Sequence, residues 1–148
     1  MDYIKQLSQK AKAQRPEKIV ADLIILNAPN LITTVRRRWL FGESVFGGFI
    51  GEYSNSGIGQ QYKAYKISLN PKASGHVDLT LTGALGDGLH VKPLSGTKFE
   101  ILSSDSKYKE IGNKYGFDEF GLSENEWQEL QMELFAFALE TMLKNTYK

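Results

Sequence analysis

The sequence contains no cysteine. That removes disulfides, thiolate zinc sites and cysteine nucleophiles together. Histidine is almost as scarce. His76 and His90 are the only two, and neither stands in an HExxH pattern or among clustered carboxylates, so a zinc site lacks its ligands. Long apolar runs are missing too: the longest, Ile19 to Leu26, is broken by Asp22 and falls short of the ~20 residues that span a bilayer. The opening MDYIKQLSQKAKAQRPEK has no apolar core of the kind that marks a signal peptide. The expectation is a soluble chain with no membrane association, not exported by the standard secretory route.

Signatures of catalysis are also lacking. Gly83-Ala-Leu-Gly86-Asp-Gly88 has neither the spacing nor the βαβ surroundings of a dinucleotide fingerprint, and no Gly-Lys-Ser/Thr phosphate loop occurs. Ser54-Asn55-Ser56-Gly57 is not the Gly-x-Ser-x-Gly of a nucleophile elbow. Asp118-Glu119 precedes a helix, where two acids are favourable charges at its N-terminus rather than a hydrolytic pair. The reading is non-enzymatic, with no cofactor; a hydrolase ranks third among the possible functions.

What remains is an ordinary globular composition. The 148 residues are 41% apolar and 24% charged, enough for one domain around one core. The net charge of +1 conceals a division. Residues 1–72 carry 11 Lys and Arg against 5 Asp and Glu, whereas residues 73–148 carry 7 against 12. The stretch Asp118–Glu140 alone holds seven acids and no base. Such a chain either attracts copies of itself head to tail or closes its two halves on each other.

Periodicity supplies the elements. Tyr3, Ile4, Leu7 and Ala11 are at helical spacing; Pro16 opens a second apolar stretch through Leu26, and Pro29 interrupts before a helix containing Leu31, Val35 and Trp39. Residues 42–61 form a glycine-rich segment predicted to be a mobile loop, with aromatics at Phe46, Phe49 and Tyr53. Tyr62–Leu69 reads as a short strand or a helical turn. Val77, Leu79 and Leu81 alternate with polar residues, as do Leu89 and Val91, and Phe99 and Ile101 follow the turn Pro93-Leu94-Ser95-Gly96. Asp105–Lys114 reads as a short helix. Ser123 and Glu126 make a capping box ahead of an amphipathic helix through Trp127, Leu130, Leu134, Phe135, Ala138, Leu139 and Met142. The predicted fold is α+β: N-terminal helices over 1–41, an antiparallel sheet of three to four strands, and a C-terminal amphipathic helix packed on that sheet. Gly83, Gly86 and Gly88 fall between two predicted strands and read as a structural corner that needs positive φ.

Arg36-Arg37-Arg38-Trp39, with Lys63 and Lys66, is the strongest candidate for nucleic-acid contact, since cations bind phosphate and an aromatic stacks on bases. Three consecutive helical arginines spread over about 200°, however, which favours a solvated or partner-pairing cluster. A nucleic-acid-binding module is therefore the alternative function. The favoured interface residues are Arg36, Arg37, Arg38, Phe46, Phe49 and Tyr53, with Glu129 and Glu133 opposite the arginines on a neighbouring copy.

Across residues 39–143 the chain carries Gly51-Glu-Tyr-Ser54, Lys63, Lys66, Val77-Asp-Leu-Thr-Leu-Thr-Gly83-Ala-Leu85, Phe99-Glu-Ile101, Ser104-x-x-Lys107, Tyr115-Gly116 and Phe120-Gly-Leu122 in that order. This order resembles the Mu-type virion morphogenesis and neck or tail-completion proteins of phages and prophages, particularly those of gut Bacteroidetes phages. The resemblance implies a non-enzymatic virion component of the head–tail junction or tail, assembled as a homo-oligomeric ring in the host bacterial cytoplasm. Its expected partners are copies of itself and portal, neck or tail subunits. DNA would pass without being specifically bound.

Overall fold

The computed structural model describes residues 15–80, 82–95 and 98–146, together with positions 5, 6, 9 and 13. Helices α1 (Pro16–Leu26) and α2 (Ala28–Leu40) come first. A hairpin turn leads to α3 (Gly57–Leu69), a 3-10 turn (Pro71–Ala73) and the single-turn α4 (Ala84–Asp87). Strands β1 (Leu89–Pro93) and β2 (Phe99–Ser103), helix α5 (Tyr108–Tyr115), a 3-10 turn (Phe117–Phe120) and the long α6 (Glu124–Thr146) complete an α+β fold. The helical spacing of Tyr3, Ile4, Leu7 and Ala11 falls outside the described residues, as do Leu81 and Gly96.

The two N-terminal helices follow their prolines. Pro16 opens α1, where a missing N–H costs nothing. Pro29 sits in the first turn of α2 for the same reason, so the break falls at Asn27, whose side-chain amide caps the carbonyl of Leu23 at 2.8 Å. The helices meet there at 57°. Leu31, Val35 and Trp39, four residues apart, turn one face of α2 inward. With Leu23, Ile24, Leu89, Ile101 and Phe120 they form the core, where Trp39 and Phe120 pack edge to face at 5.3 Å.

Strand number differs from expectation. Among the described residues the sheet has two strands, not three or four: β1 and β2 pair antiparallel, Leu89 opposite Ser103 through Pro93 opposite Phe99. The predicted first strand is an extended segment held by one bridge, His76 to Glu52, and by the Val77 N–H on the Gly51 carbonyl at 2.9 Å. Alternation misleads here because Val77, Asp78 and Leu79 are all buried. Tyr62–Leu69 belongs to α3, whose first turn is capped by the Ser56 hydroxyl accepting from Gly59 N–H at 3.1 Å. That helix begins at Gly57, inside the segment read as loop.

The C-terminal helix is present with its capping box. Ser123 N–H donates to Glu126 Oε2 at 2.6 Å, and Glu126 N–H to Ser123 Oγ at 3.3 Å. It meets the sheet at one end and runs on along α1. Its main packing partner is α1, while Leu130, Leu134 and Ala138 share the core with Leu89 and Ile101 of the strands and the Trp127 ring lies 5.7 Å from that of Phe99. Length explains this: strands of five residues span roughly 17 Å, a helix of 23 roughly 35 Å.

The three glycines do not form a hairpin corner. Only Gly83 has positive φ, +77°, at the entry to α4. A Cβ on Gly88 would sit 2.7 Å from Ser103 Oγ and 3.0 Å from the Asp105 nitrogen, whereas one on Gly86 would meet Arg36 Nε at 3.2 Å. Gly83→Val and Gly88→Val are therefore expected to cost about 1–3 kcal/mol, one through strain and the other through overpacking. Gly86→Ala should cost less, since the Arg36 side chain can move aside. Melting curves showing Gly86→Ala as the worst of the three would contradict this account.

Candidate interaction surface

The fold separates the three arginines by direction. Arg38 turns inward, 5% exposed, and donates from Nη1 to Glu126 Oε2 at 2.5 Å and from Nη2 to the carbonyls of Glu119 and Gly121 at 2.8 and 2.9 Å. Trp39 Nε1 donates to the same Glu119 carbonyl at 2.9 Å. The buried Glu119 carboxylate in turn accepts from the Ser44 hydroxyl at 2.6 Å and the Val45 N–H at 3.0 Å. One clasp thus joins α2, the Ser44–Val45 hairpin, the 3-10 turn and the start of α6. Arg36 pairs with Asp87 at 3.0 Å on the surface, and Arg37 is exposed with no ion-pair partner among the described residues.

A second buried pair lies elsewhere. Lys66 Nζ is 2.6 Å from Asp78 Oδ1, both side chains at most 3% exposed. The same oxygen accepts from Thr80 N–H at 3.0 Å and Thr80 Oγ1 at 2.6 Å. Burial alone raises the Asp78 pKa, but the Lys66 and Thr80 hydrogen bonds outweigh it and hold the carboxyl below its ordinary value. Arg38–Glu126, Lys66–Asp78 and Arg36–Asp87 each join the basic half of the chain to the acidic half, so these contacts close the chain on itself. They also take Arg38 and Lys66 from any phosphate-binding patch. Trp39, 1% exposed, cannot stack on a base.

Beside the face packed on the core, α6 also carries an outward apolar surface, which begins at a groove shared with Val20 and Ile24 of α1. Met132, Phe135, Leu139 and Leu143 are exposed, with Met132 at 73% and Phe135 at 70%. At 100° per residue they make a second stripe well round the helix from Leu130, Leu134 and Ala138. Glu129, Glu133 and Glu140 run along one flank, and Lys144 reaches back to Glu140 at 2.6 Å. Leu26, at the end of α1, is likewise exposed. Helical spacing alone groups Phe135 and Leu139 with the buried face and leaves out Met132 and Leu143. The signal was there: two sets of apolar positions, each at helical spacing, exceed what one face can hold.

The hairpin is a second outward feature. Glu43 pairs with Phe49, the turn between them has positive φ at Gly47 and Gly48, and Phe46 is 77% exposed. Phe49 is exposed on one face and stacks the other on His76 at 3.5 Å. Tyr53, by contrast, is half-buried, and burial followed by the Asp78 charge pushes its hydroxyl up to about 12.

Among the described residues no His, Asp and Glu side chains converge as a metal site. No single helix there is long and apolar enough to cross a membrane; α1 and α2 reach that length and composition only together, across their bend. No known protein family matches the chain, nor does any curated protein or solved structure.

Proposed function

We propose that the chain is a non-enzymatic assembly subunit of a phage particle, placed at the head–tail junction or tail, which self-associates into a ring and docks neighbouring virion proteins. The second apolar stripe of α6 carries this reading. Contiguous exposed apolar side chains on a small domain mark association surfaces, and here four follow one helical line. Phe46 and Phe49 on the hairpin offer a separate contact, so one subunit presents two unlike surfaces. Unlike surfaces meet head to tail and close into rings when the rotation allows. The placement in a virion rests on the ordered motifs from Gly51 to Leu122. The nucleic-acid alternative is weaker, because Arg38, Trp39 and Lys66 point inward.

Phe135→Lys is expected to weaken self-association by ~2 kcal/mol, roughly 30-fold, by removing one buried aromatic from the contact. Sedimentation across a concentration series reads the association constant, and circular dichroism checks that α6 persists. A parent protein that stays monomeric at every concentration would refute the assembly reading. Absence of the chain from purified particles of its phage would refute the placement alone.

A further inference from the structure

A cleft of about 540 Å³ lies between the start of α3 and α5, lined by Tyr53, Tyr62, Tyr115 and Asp78. Two of its oxygens are unsatisfied. All three hydrogen bonds to the Asp78 carboxylate fall on Oδ1, leaving buried Oδ2 with none, and the buried Tyr53 hydroxyl has no well-formed hydrogen bond, only a weak approach to the Asp78 backbone. Buried polar atoms are nearly always paired, so two in one cleft mark a place where a further group fits. A carboxylate oxygen only accepts; the group must donate.

Charge narrows the choice. The cleft is lined by the acids Glu52, Asp78, Asp105 and Glu110 against Lys107 and Lys114, and Lys66 behind Asp78 still leaves one acid in excess. Tyr62 has a raised pKa, through burial first and then the Asp78 charge, as expected where the field favours cations. The rings add electron-rich faces: Tyr53 and Tyr62 stand edge to face at 5.4 Å, and Lys114 already lies over Tyr115 at 5.0 Å.

We infer that this cleft binds an organic cation, an ammonium or guanidinium group on a short apolar stem, which donates to Asp78 Oδ2 and the Tyr53 hydroxyl and rests against the tyrosine rings. The site is distinct from the α6 stripe and stands or falls independently of the assembly reading. The cation has two sources, a free amine or the Lys or Arg side chain of another protein.

The test titrates the full chain with agmatine, n-butylamine, a capped Gly-Arg-Gly peptide and uncharged butan-1-ol, following tyrosine ring signals by NMR. Saturable shifts at Tyr53, Tyr62 and Tyr115 are expected with the cations, at least about tenfold weaker with butan-1-ol. A capped peptide that binds more tightly than agmatine identifies a protein side chain as the source; the reverse identifies a free amine. Asp78→Asn endangers folding, so Tyr53→Phe is the decisive variant: binding about tenfold weaker, with a melting temperature equal to or above that of the parent. No saturable response to any cation, an equal response to butan-1-ol, or unchanged affinity in Tyr53→Phe overturns the inference.

Discussion

Replacing Arg38 with methionine is expected to destabilise the fold by about 3–5 kcal/mol, the scale seen when one partner of a buried ion pair is removed. The aliphatic stem would be kept while every polar contact of the guanidinium is lost. Glu126 would retain its capping bond from Ser123 but lose its cation, and the carbonyls of Glu119 and Gly121 would lose their donor. Arg37→Met, one position away and exposed, should change stability by no more than about 0.5 kcal/mol. Urea unfolding of both variants measures the contrast through the midpoint at unchanged slope. Equal midpoints would mean that the clasp contributes nothing.

The Lys66–Asp78 pair should be comparably sensitive. Asp78→Ala strands a buried ammonium and leaves the Thr80 N–H without its acceptor, so a loss of about 3–5 kcal/mol is expected. Lys66→Met combined with Asp78→Leu should recover much of that, because no charge is then left buried. The pair also makes stability depend on pH. The folded carboxyl has a pKa below the unfolded value near 3.9, so the folded state favours the ionised form. Its contribution is complete above the unfolded pKa and drains away as pH falls through the lower folded one. Unfolding midpoints should therefore fall more steeply with acid in the parent than in the double variant. Parallel pH profiles for the two would show that Asp78 does not titrate in this way.

These two residues also show where sequence reading reached its limit. Local signals were legible: Ser123 with Glu126, Pro16 at a helix start, and the spacing of Leu31, Val35 and Trp39 all refer to neighbours within eight residues, and the structure keeps each. Alternation with Val77 and Leu79 places Asp78 on the solvent side of a strand. Only Lys66, on another element, makes its burial affordable. Arg38 belonged to a visible triplet, yet its partner Glu126 is 88 residues away. The missing strands have the same origin, since alternation describes a segment and says nothing about whether a second segment lies alongside. In α6 the two apolar stripes separate only when each residue's angle round the helix is taken with its spacing.

The clasp has a consequence in time. A ribosome makes the N-terminal residues first, at about 5–20 residues per second. Trp39 and Val35 have no Phe120 to pack against, and Arg38 no acceptor, until some 80 further residues have been added. At that rate Trp39 waits roughly 4–16 s on the nascent chain for its last core partner, with Leu23, Ile24 and later Leu89 able to cover only part of that face before then. During synthesis the apolar surface most exposed to premature aggregation is thus the one that ends deepest inside.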